Sequence, residues 1–184
     1  MLTRNEAINL LKQNIKRQNI FYHMLAVEAI MRNLANYFGE NEEIWGLTGL
    51  LHDIDFEQTE NNPQLHGLEA EKILGNLVPK EVIDAIKAHN FTYTNVQPKT
   101  RMEKALIASD AISGLIVACA LVMPNKKLEE VKVNTIKKKF KQKDFARNID
   151  RNRILMCEEI GLPKEKFFGI ALEGLKKIGS TLGL

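Results

Sequence analysis

An apolar run that ends on a histidine and an aspartate constrains this chain more than any other feature. Residues 45–54 read WGLTGLLHDI, so His52 and Asp53 fall at the buried end of an apolar segment. An imidazole and a carboxylate buried without partners would destabilise a fold by on the order of several kcal/mol. A divalent metal ion is the simplest partner for both groups. Further residues of the types that bind metals are His23, His66, His89 and Asp110.

Helical periodicity covers nearly the whole chain, and no alternating pattern of a strand appears. Thr3 and Glu6 have the spacing of a capping box, which opens a first helix, and Gly39 is suited to the end of the second. We therefore predict an all-α fold, a helical bundle that forms a single domain over residues 1–184. The predicted helices span about residues 3–17, 19–38, 42–53, 64–77, 79–90, 101–123, 135–143, 150–160 and 164–178.

Two polar segments and two glycines complete this prediction. Residues 55–63 and 91–100 are rich in polar side chains and are predicted to be loops. Gly46 and Gly49 lie in the predicted third helix, where the missing side chains allow another helix to approach closely.

The bulk composition is that of a soluble globular protein. Of the 184 residues, 45% are hydrophobic and 27% are charged, which argues against a disordered chain. The formal net charge of +3 is too small to indicate general nucleic-acid binding. Residues 105–123 are apolar enough to suggest a membrane span, but Ser109, Asp110, Ser113 and Gly114 within them favour a buried core helix.

Cysteine usage and the N-terminus bear on the compartment. Cys119 and Cys157 are the only cysteines, lie far apart and lack CxxC spacing. We therefore expect two buried free thiols in a reducing compartment rather than a disulfide. Residues 1–6 mix charges and contain no apolar signal segment, so we expect a cytoplasmic protein.

The order of the candidate ligands resembles the HD superfamily of metal-dependent phosphohydrolases. Its signature is a histidine, a His-Asp doublet and a distant aspartate on a helical bundle, here His23, His52-Asp53 and Asp110. The segment from His52 is close to the HDIG variant, with Asp55 in place of the glycine. The resemblance covers an HD core over about residues 19–123, followed by a basic helical C-terminal region over about 126–184.

Some members of this superfamily carry two further histidines between the doublet and the last aspartate, as this chain does at His66 and His89. The resemblance then implies two divalent transition metals. One would take His23, His52, Asp53 and Asp110, and the other would take His66, His89 and the second oxygen of Asp53. Asp53 would also orient the nucleophilic water and is our candidate catalytic residue. Imidazole and carboxylate donors suit iron or manganese above all, fit cobalt, nickel and zinc, and argue against calcium.

Each of these residues could also have a purely structural role. A single histidine on a helix is usually a core or surface residue, and His89 would suit the C-terminus of a helix as a cation. The ordered set of histidines and aspartates favours a metal site over such roles. For Asp55 and Glu57 the alternatives are assistance to proton transfer and a role as solvated loop residues, and we expect the second.

Positive charge gathers late in the chain, between about Lys126 and Arg153. Phosphate groups of a substrate need such donors, and arginine binds phosphate in a bidentate manner. The alternative is a solvated helix face. Our candidate substrate-binding residues are Lys99, Arg101, Arg147 and Arg151. Few aromatic residues are interleaved with these charges, so a nucleic-acid groove has little support.

The function that we expect is hydrolysis of a phosphoester or phosphoanhydride, in a phosphorylated small molecule such as a nucleotide. The set of six ligands resembles the bacterial enzymes that cleave diadenosine tetraphosphate symmetrically, more than the nucleoside monophosphatases with four ligands. Cyclic-dinucleotide phosphodiesterases carry a Gly-Tyr-Pro motif that this chain lacks. Two alternatives remain open, a mixed-valent di-iron oxygenase of the HD fold and a non-catalytic nucleotide-binding sensor. We expect no membrane partner, and the sequence does not determine the oligomeric state.

Overall fold

A computed structural model describes residues 1–184 and confirms the all-α fold, with no strand. Helix α1 (Arg4–Asn14) begins at the predicted capping box, in which the Thr3 side chain accepts from the Glu6 amide. It ends at Asn14, earlier than predicted. Helix α2 (Gln18–Phe38) ends as predicted at Gly39, which has a φ of 69°.

Helix α3 (Glu42–Leu51) begins at Asn41, whose side chain accepts from the Ile44 amide. It ends two residues before the predicted Asp53. The predicted close approach of a second helix is confirmed at Gly49, where a Cβ atom would lie 2.9 Å from the Glu28 Cα atom of α2. This contact fixes the end of α3, and with it His52, against α2.

The segment after α3 differs most from the prediction. The loop expected over 55–63 contains a short helix, α4 (Phe56–Thr59). The helix expected over 64–77 is divided into a 3₁₀ turn (Pro63–Leu65), helix α5 (Leu68–Leu74) and a second 3₁₀ turn (Gly75–Leu77). Gly67 separates the first turn from α5 with a φ of +88°, a backbone conformation that a helix does not contain.

Helix α6 (Lys80–His89) begins one residue after the predicted start at Pro79, which precedes its first turn. Helix α7 (Phe91–Thr94) is a single turn inside the predicted loop. Helix α8 (Arg101–Leu121) follows, and Thr100 and Glu103 form a capping box at its start. It contacts α2, α3 and α6 and also three of the helices that follow.

Those later helices are α9 (Val133–Lys141), α10 (Arg151–Glu159), α11 (Lys164–Lys177) and α12 (Gly179–Leu182). Helix α10 packs on α8, and α11 packs on α2, α8, α9 and α10. The basic C-terminal region therefore shares its core with the preceding helices. Cys119 and Cys157 are buried free thiols, as predicted, and burial raises their pKa to about 11 and about 12.

Helix α8 is the one helix long and apolar enough to cross a membrane by length and composition alone. Of the most apolar 18 residues of this helix, 61% are buried inside the protein. Core helices of globular proteins meet the same criteria.

Two hydrophobic clusters meet along α2. The larger is built mainly from α2, α8, α10 and α11, and the smaller from α1, α3, α5 and α6. Ile20, Met24 and Leu25 of α2 face the smaller cluster, whereas Ala26, Val27 and Ile30 face the larger. His23 lies on α2 between these groups, so the candidate ligand His23 is placed where the two clusters meet.

Candidate metal centre

Five parts of the fold bring the six candidate ligands together. They surround a cavity of about 430 Å³ that has Asn19, Ile20, Phe56, Asn90 and Arg153 on its remaining walls. His52 lies beneath it, fully buried. The ligands come from α2 (His23), the end of α3 (His52 and Asp53), the turn before α5 (His66), the end of α6 (His89) and α8 (Asp110).

The carboxylate of Asp53 is at the centre of this cluster. Its Oδ1 atom lies 3.1 Å from Nε2 of His66 and 3.4 Å from Nε2 of both His52 and His89. Its Oδ2 atom lies 3.7 Å from Nε2 of His23. One carboxylate therefore contacts all four imidazoles.

The ligand atoms fall into two groups that share Asp53. His23, His52 and Asp53 form one group and Asp53, His66 and His89 form the other, with the atoms of each group within 4.8 Å of one another. Asp110 adjoins the first group, since its Oδ1 atom lies 3.2 Å from Nε2 of His23 and 4.0 Å from Nε2 of His52. This division matches the two sets that the family resemblance implies.

Each histidine forms a hydrogen bond through Nδ1 on the side away from the cluster, so that its Nε2 atom faces Asp53. Partners of this kind orient the imidazole of a metal-binding histidine and fix its tautomer. The Nδ1 partners are the Gly49 carbonyl for His52 (2.8 Å), the Ile86 carbonyl for His89, Asp55 Oδ1 for His66 (2.9 Å) and Ser113 Oγ for His23 (3.2 Å).

The hydrogen-bond network assigns the proton of His23 as well. Ser113 Oγ donates its only hydrogen to the Asp110 carbonyl, at 2.8 Å. It therefore accepts from Nδ1–H of His23. All four imidazoles then carry hydrogen on Nδ1, and all four Nε2 atoms point into the cluster, where each can bind either a proton or a metal ion.

This arrangement requires a cation. Nε2 of His66 and Nε2 of His89 lie 3.0 Å apart, and two lone pairs at that distance repel unless a proton or a metal ion lies between them. Nε2 of His52 is buried and has no hydrogen-bond partner, which is costly for a polar atom. The donor set and its unsatisfied atoms fit divalent metal ions.

The electrostatics of the cluster keep its carboxylates charged. Burial raises the pKa of Asp53, but His52, His66 and His89 outweigh it and hold that pKa well below its usual value. Burial raises the pKa of Asp110 too, but His23 outweighs this effect, and the pKa is lowered.

The pKa is lowered in one of the histidines and raised in two others. Burial lowers the pKa of His52 to about 4. For His66, burial lowers the pKa but Asp53 and Asp55 outweigh it and raise the value to about 10. The pKa of His23 is raised in the same way by Asp110 against the effect of burial. Without a metal, the cluster therefore retains protons at neutral pH.

Asp55 corrects one of our predictions, because it is not a solvated loop residue. Its side chain is fully buried. Oδ1 accepts from Nδ1 of His66, and Oδ2 accepts from the amides of Gly67 (2.7 Å) and Ala70 (3.0 Å). Asp55 thus orients a candidate ligand and caps the start of α5. Its partners are distant in sequence, so no local pattern reveals this role.

Glu57 lies outside the cavity, in line with its predicted distance from the chemistry. It is not a simple solvated residue, however. Its Oε1 atom accepts from the amides of Lys16 (2.9 Å) and Arg17 (2.7 Å), just before α2 begins.

None of the four predicted substrate-binding residues lines the cavity. Arg101 pairs with Glu40 at 2.9 Å and lies over the Phe38 ring. Arg151 donates to the backbone carbonyls of residues 142, 145, 146 and 149. Lys99 and Arg147 are exposed.

The cation at the cavity is instead Arg153, which the sequence did not single out among the basic residues. Its Nη2 atom donates to the His89 carbonyl at 2.6 Å and lies 3.3 Å from Asp110 Oδ2. Its guanidinium also lies over the Phe91 ring, with 6.0 Å between the guanidinium carbon and the ring centroid. Only the packing of α10 on α8 brings it there, so spacing alone carries no signal for it.

Comparison with known proteins agrees with this geometry. A family model described as the HD domain matches residues 20–115, just over half of the chain. No curated protein matches the chain, and no solved structure matches it. The matched residues include all six candidate ligands, and the family lies within a superfamily of metal-dependent hydrolases. This chain, with its shared carboxylate and four converging imidazoles, therefore belongs to the HD domain family.

Proposed function

We propose that this protein is a metal-dependent phosphohydrolase that cleaves a phosphoester or phosphoanhydride bond of a nucleotide. The observation that carries the proposal is the convergence of four Nε2 atoms on the Asp53 carboxylate, beside a cavity that also contains an arginine. A hydrolase of this kind needs both a place for metal ions and a cation for the phosphoryl oxygens.

His23, His52, Asp53 and Asp110 would hold one metal ion, and Asp53, His66 and His89 would hold a second. Once bound, two such ions polarise a phosphoryl group and make hydroxide available near neutral pH. Imidazole with carboxylate suits manganese or iron, and also cobalt, nickel and zinc. Asp53 is the candidate catalytic residue, because its two oxygens face different histidines.

Arg153 is our revised candidate for binding the phosphoryl oxygens. Its Nη2 atom is fixed by the His89 carbonyl, which holds the guanidinium at the cavity. Its other N–H groups remain free for a phosphate, for which the planar guanidinium is well suited. Ile20 and Phe56 give the cavity an apolar edge.

A panel of nucleotides tests the proposal. Protein loaded with manganese, iron, cobalt or nickel is incubated with mononucleotides, cyclic dinucleotides and diadenosine tetraphosphate, and products are separated by chromatography. We expect cleavage of at least one class, its loss in Asp53→Ala, and a raised KM in Arg153→Gln but not in the matched variant Arg101→Gln. Oxygen consumption without cleavage would indicate the oxygenase instead, and tight binding without turnover would indicate the sensor.

A further inference from the structure

A second cavity adjoins the candidate metal centre and differs from it in character. It has a volume of about 350 Å³ and shares Asn19 and His23 with the metal-site cavity. Its other walls are mainly apolar. They are formed by Tyr22 and Ala26 of α2, Val117 and Leu121 of α8, and Leu182 and Leu184. We call it the apolar groove.

The groove continues the helix face that carries Asp110. Gly114, Val117 and Leu121 follow Asp110 at intervals of three or four residues, so they lie on one side of α8. On α2, Asn19, Tyr22, His23 and Ala26 have the same spacing. Two helices that supply metal ligands at one end of this face thus supply an apolar cleft at the other.

Part of this apolar surface is open to solvent. Leu121 is 50% exposed although it is a large apolar side chain, and Val117 is half-buried. Asn19 lines both cavities, so its exposed side chain stands at the boundary between them. Ligand pockets commonly combine mostly apolar walls with a few polar groups.

We propose that the apolar groove binds the organic part of the substrate, an aromatic ring system attached to the phosphoryl group that lies at the metal centre. The proposal rests on the proposed function and deepens it. Because His23 borders both cavities, a group attached to a phosphoryl held beside Arg153 and the ligands has this groove next to it. A nucleobase is one such ring, and the groove selects by burial of the ring against its apolar walls.

Binding of phosphonates tests this without relying on turnover, because hydrolysis does not cleave the C–P bond. Manganese-loaded protein is titrated calorimetrically with methylphosphonate and with 1-naphthylmethylphosphonate. Burial of the ring in the groove should tighten binding by at least about tenfold. Equal affinities would overturn the groove proposal and leave the proposed function standing. Failure of both ligands to bind would overturn the phosphate site, and the groove proposal with it.

Variants then locate the ring. Val117→Phe fills the groove from a half-buried position, and Leu121→Ser removes an exposed part of its wall with little risk to folding. Both variants should bind 1-naphthylmethylphosphonate about tenfold more weakly than the parent protein does. Their affinity for methylphosphonate should stay within about twofold of the parent value. Val122→Phe is the matched control, since Val122 is 54% exposed and does not line the groove. Unchanged naphthylmethylphosphonate affinity in both groove variants would overturn the proposal.

Discussion

His66 is bound by a carboxylate on each of its two nitrogens. Asp53 Oδ1 lies 3.1 Å from Nε2, on the side of the cluster, and Asp55 Oδ1 lies 2.9 Å from Nδ1, on the opposite side. The two aspartates are two residues apart in sequence but have different roles, because only Asp53 faces the other histidines. Asp55 is saturated by His66 and by two amides of the α5 start, so it is a positioning residue rather than a ligand.

Replacement of Asp55 should therefore weaken metal binding from outside the metal centre. In Asp55→Asn, the amide nitrogen must face either Nδ1–H of His66 or the amides of Gly67 and Ala70, and one set of donors loses its acceptor. We expect metal affinity to fall by about 10–100-fold and the free energy of unfolding to fall by about 1–3 kcal/mol. Competition with a chelator and urea denaturation measure the two effects.

Glu57→Gln is the matched control for this variant. Glu57 also accepts from backbone amides, but it lies outside the cavity. It should lose some stability and keep the metal affinity of the parent. If Asp55→Asn binds metal as tightly as Glu57→Gln does, Asp55 does not position His66.

The protonation of the metal-free cluster predicts how metal affinity depends on pH. His66 carries a proton at neutral pH because burial is outweighed by Asp53 and Asp55, which raise its pKa to about 10. A bound metal requires neutral imidazole, so uptake must displace that proton. Apparent affinity should rise between about pH 6 and pH 8, by roughly tenfold per unit for each displaced proton. His52, with its pKa lowered to about 4, contributes no proton in this range.

Calorimetry in buffers of different ionisation enthalpy measures that proton release directly. Titration of manganese into metal-free protein at neutral pH should give an observed enthalpy that varies with the buffer. An enthalpy independent of the buffer, together with an affinity independent of pH, would contradict this assignment of protons.

At the scale of elements, the contact between α2 and α3 positions the doublet. Gly49 lies on the Glu28 backbone of α2, and its carbonyl oxygen accepts from Nδ1 of His52 one turn later. The same glycine therefore sets both the spacing of the two helices and the orientation of a candidate ligand. At Gly46, one turn earlier, the atoms nearest to the position of a Cβ belong to the side chain of Arg32.

The two glycines provide a matched pair of substitutions. In Gly49→Ala the new methyl group meets backbone at 2.9 Å, so α3 must shift, at a cost of about 1–3 kcal/mol. In Gly46→Ala the neighbour is the Arg32 side chain, which can shift more easily than backbone although it pairs with Glu28 and Glu43. Alanine also favours the helix by about 0.5–1 kcal/mol. Urea denaturation should show the larger loss for Gly49→Ala. Equal losses would mean that the helix contact at Gly49 does not constrain the fold.

At the scale of the whole molecule, local patterns predicted the elements and their class. The capping box at Thr3 and the stop at Gly39 depend on neighbouring residues, and the structure confirms both of them. The start of α6 lies within one residue of the predicted Pro79. The helix expected over 64–77 was wrong because Gly67 adopts its positive φ against the carbonyl of Ile86 on α6, 3.0 Å from where its Cβ would lie. Such a contact exists only after the chain has folded.

The residues of the candidate site were likewise predictable from the sequence only in part. Its ligands could be proposed from the sequence because a His-Asp doublet in an apolar run, with an ordered set of histidines and aspartates around it, would be costly to bury without a metal ion. The roles of Asp55 and Arg153 could not be proposed from the sequence. Asp55 contacts His66 across a turn, and Arg153 reaches the cavity from α10. Arg151 carries the charge expected of a phosphate contact, but its guanidinium donates its hydrogen bonds to backbone carbonyls instead.

The central claim is that one carboxylate, that of Asp53, joins two metal sites. Metal content measured by mass spectrometry, on protein purified without added metal and again after reconstitution with manganese, tests it most directly. We expect about two transition-metal ions per chain in the parent protein and about one in His66→Ala/His89→Ala. A parent protein that folds normally but retains no transition metal and takes up no manganese would contradict the claim.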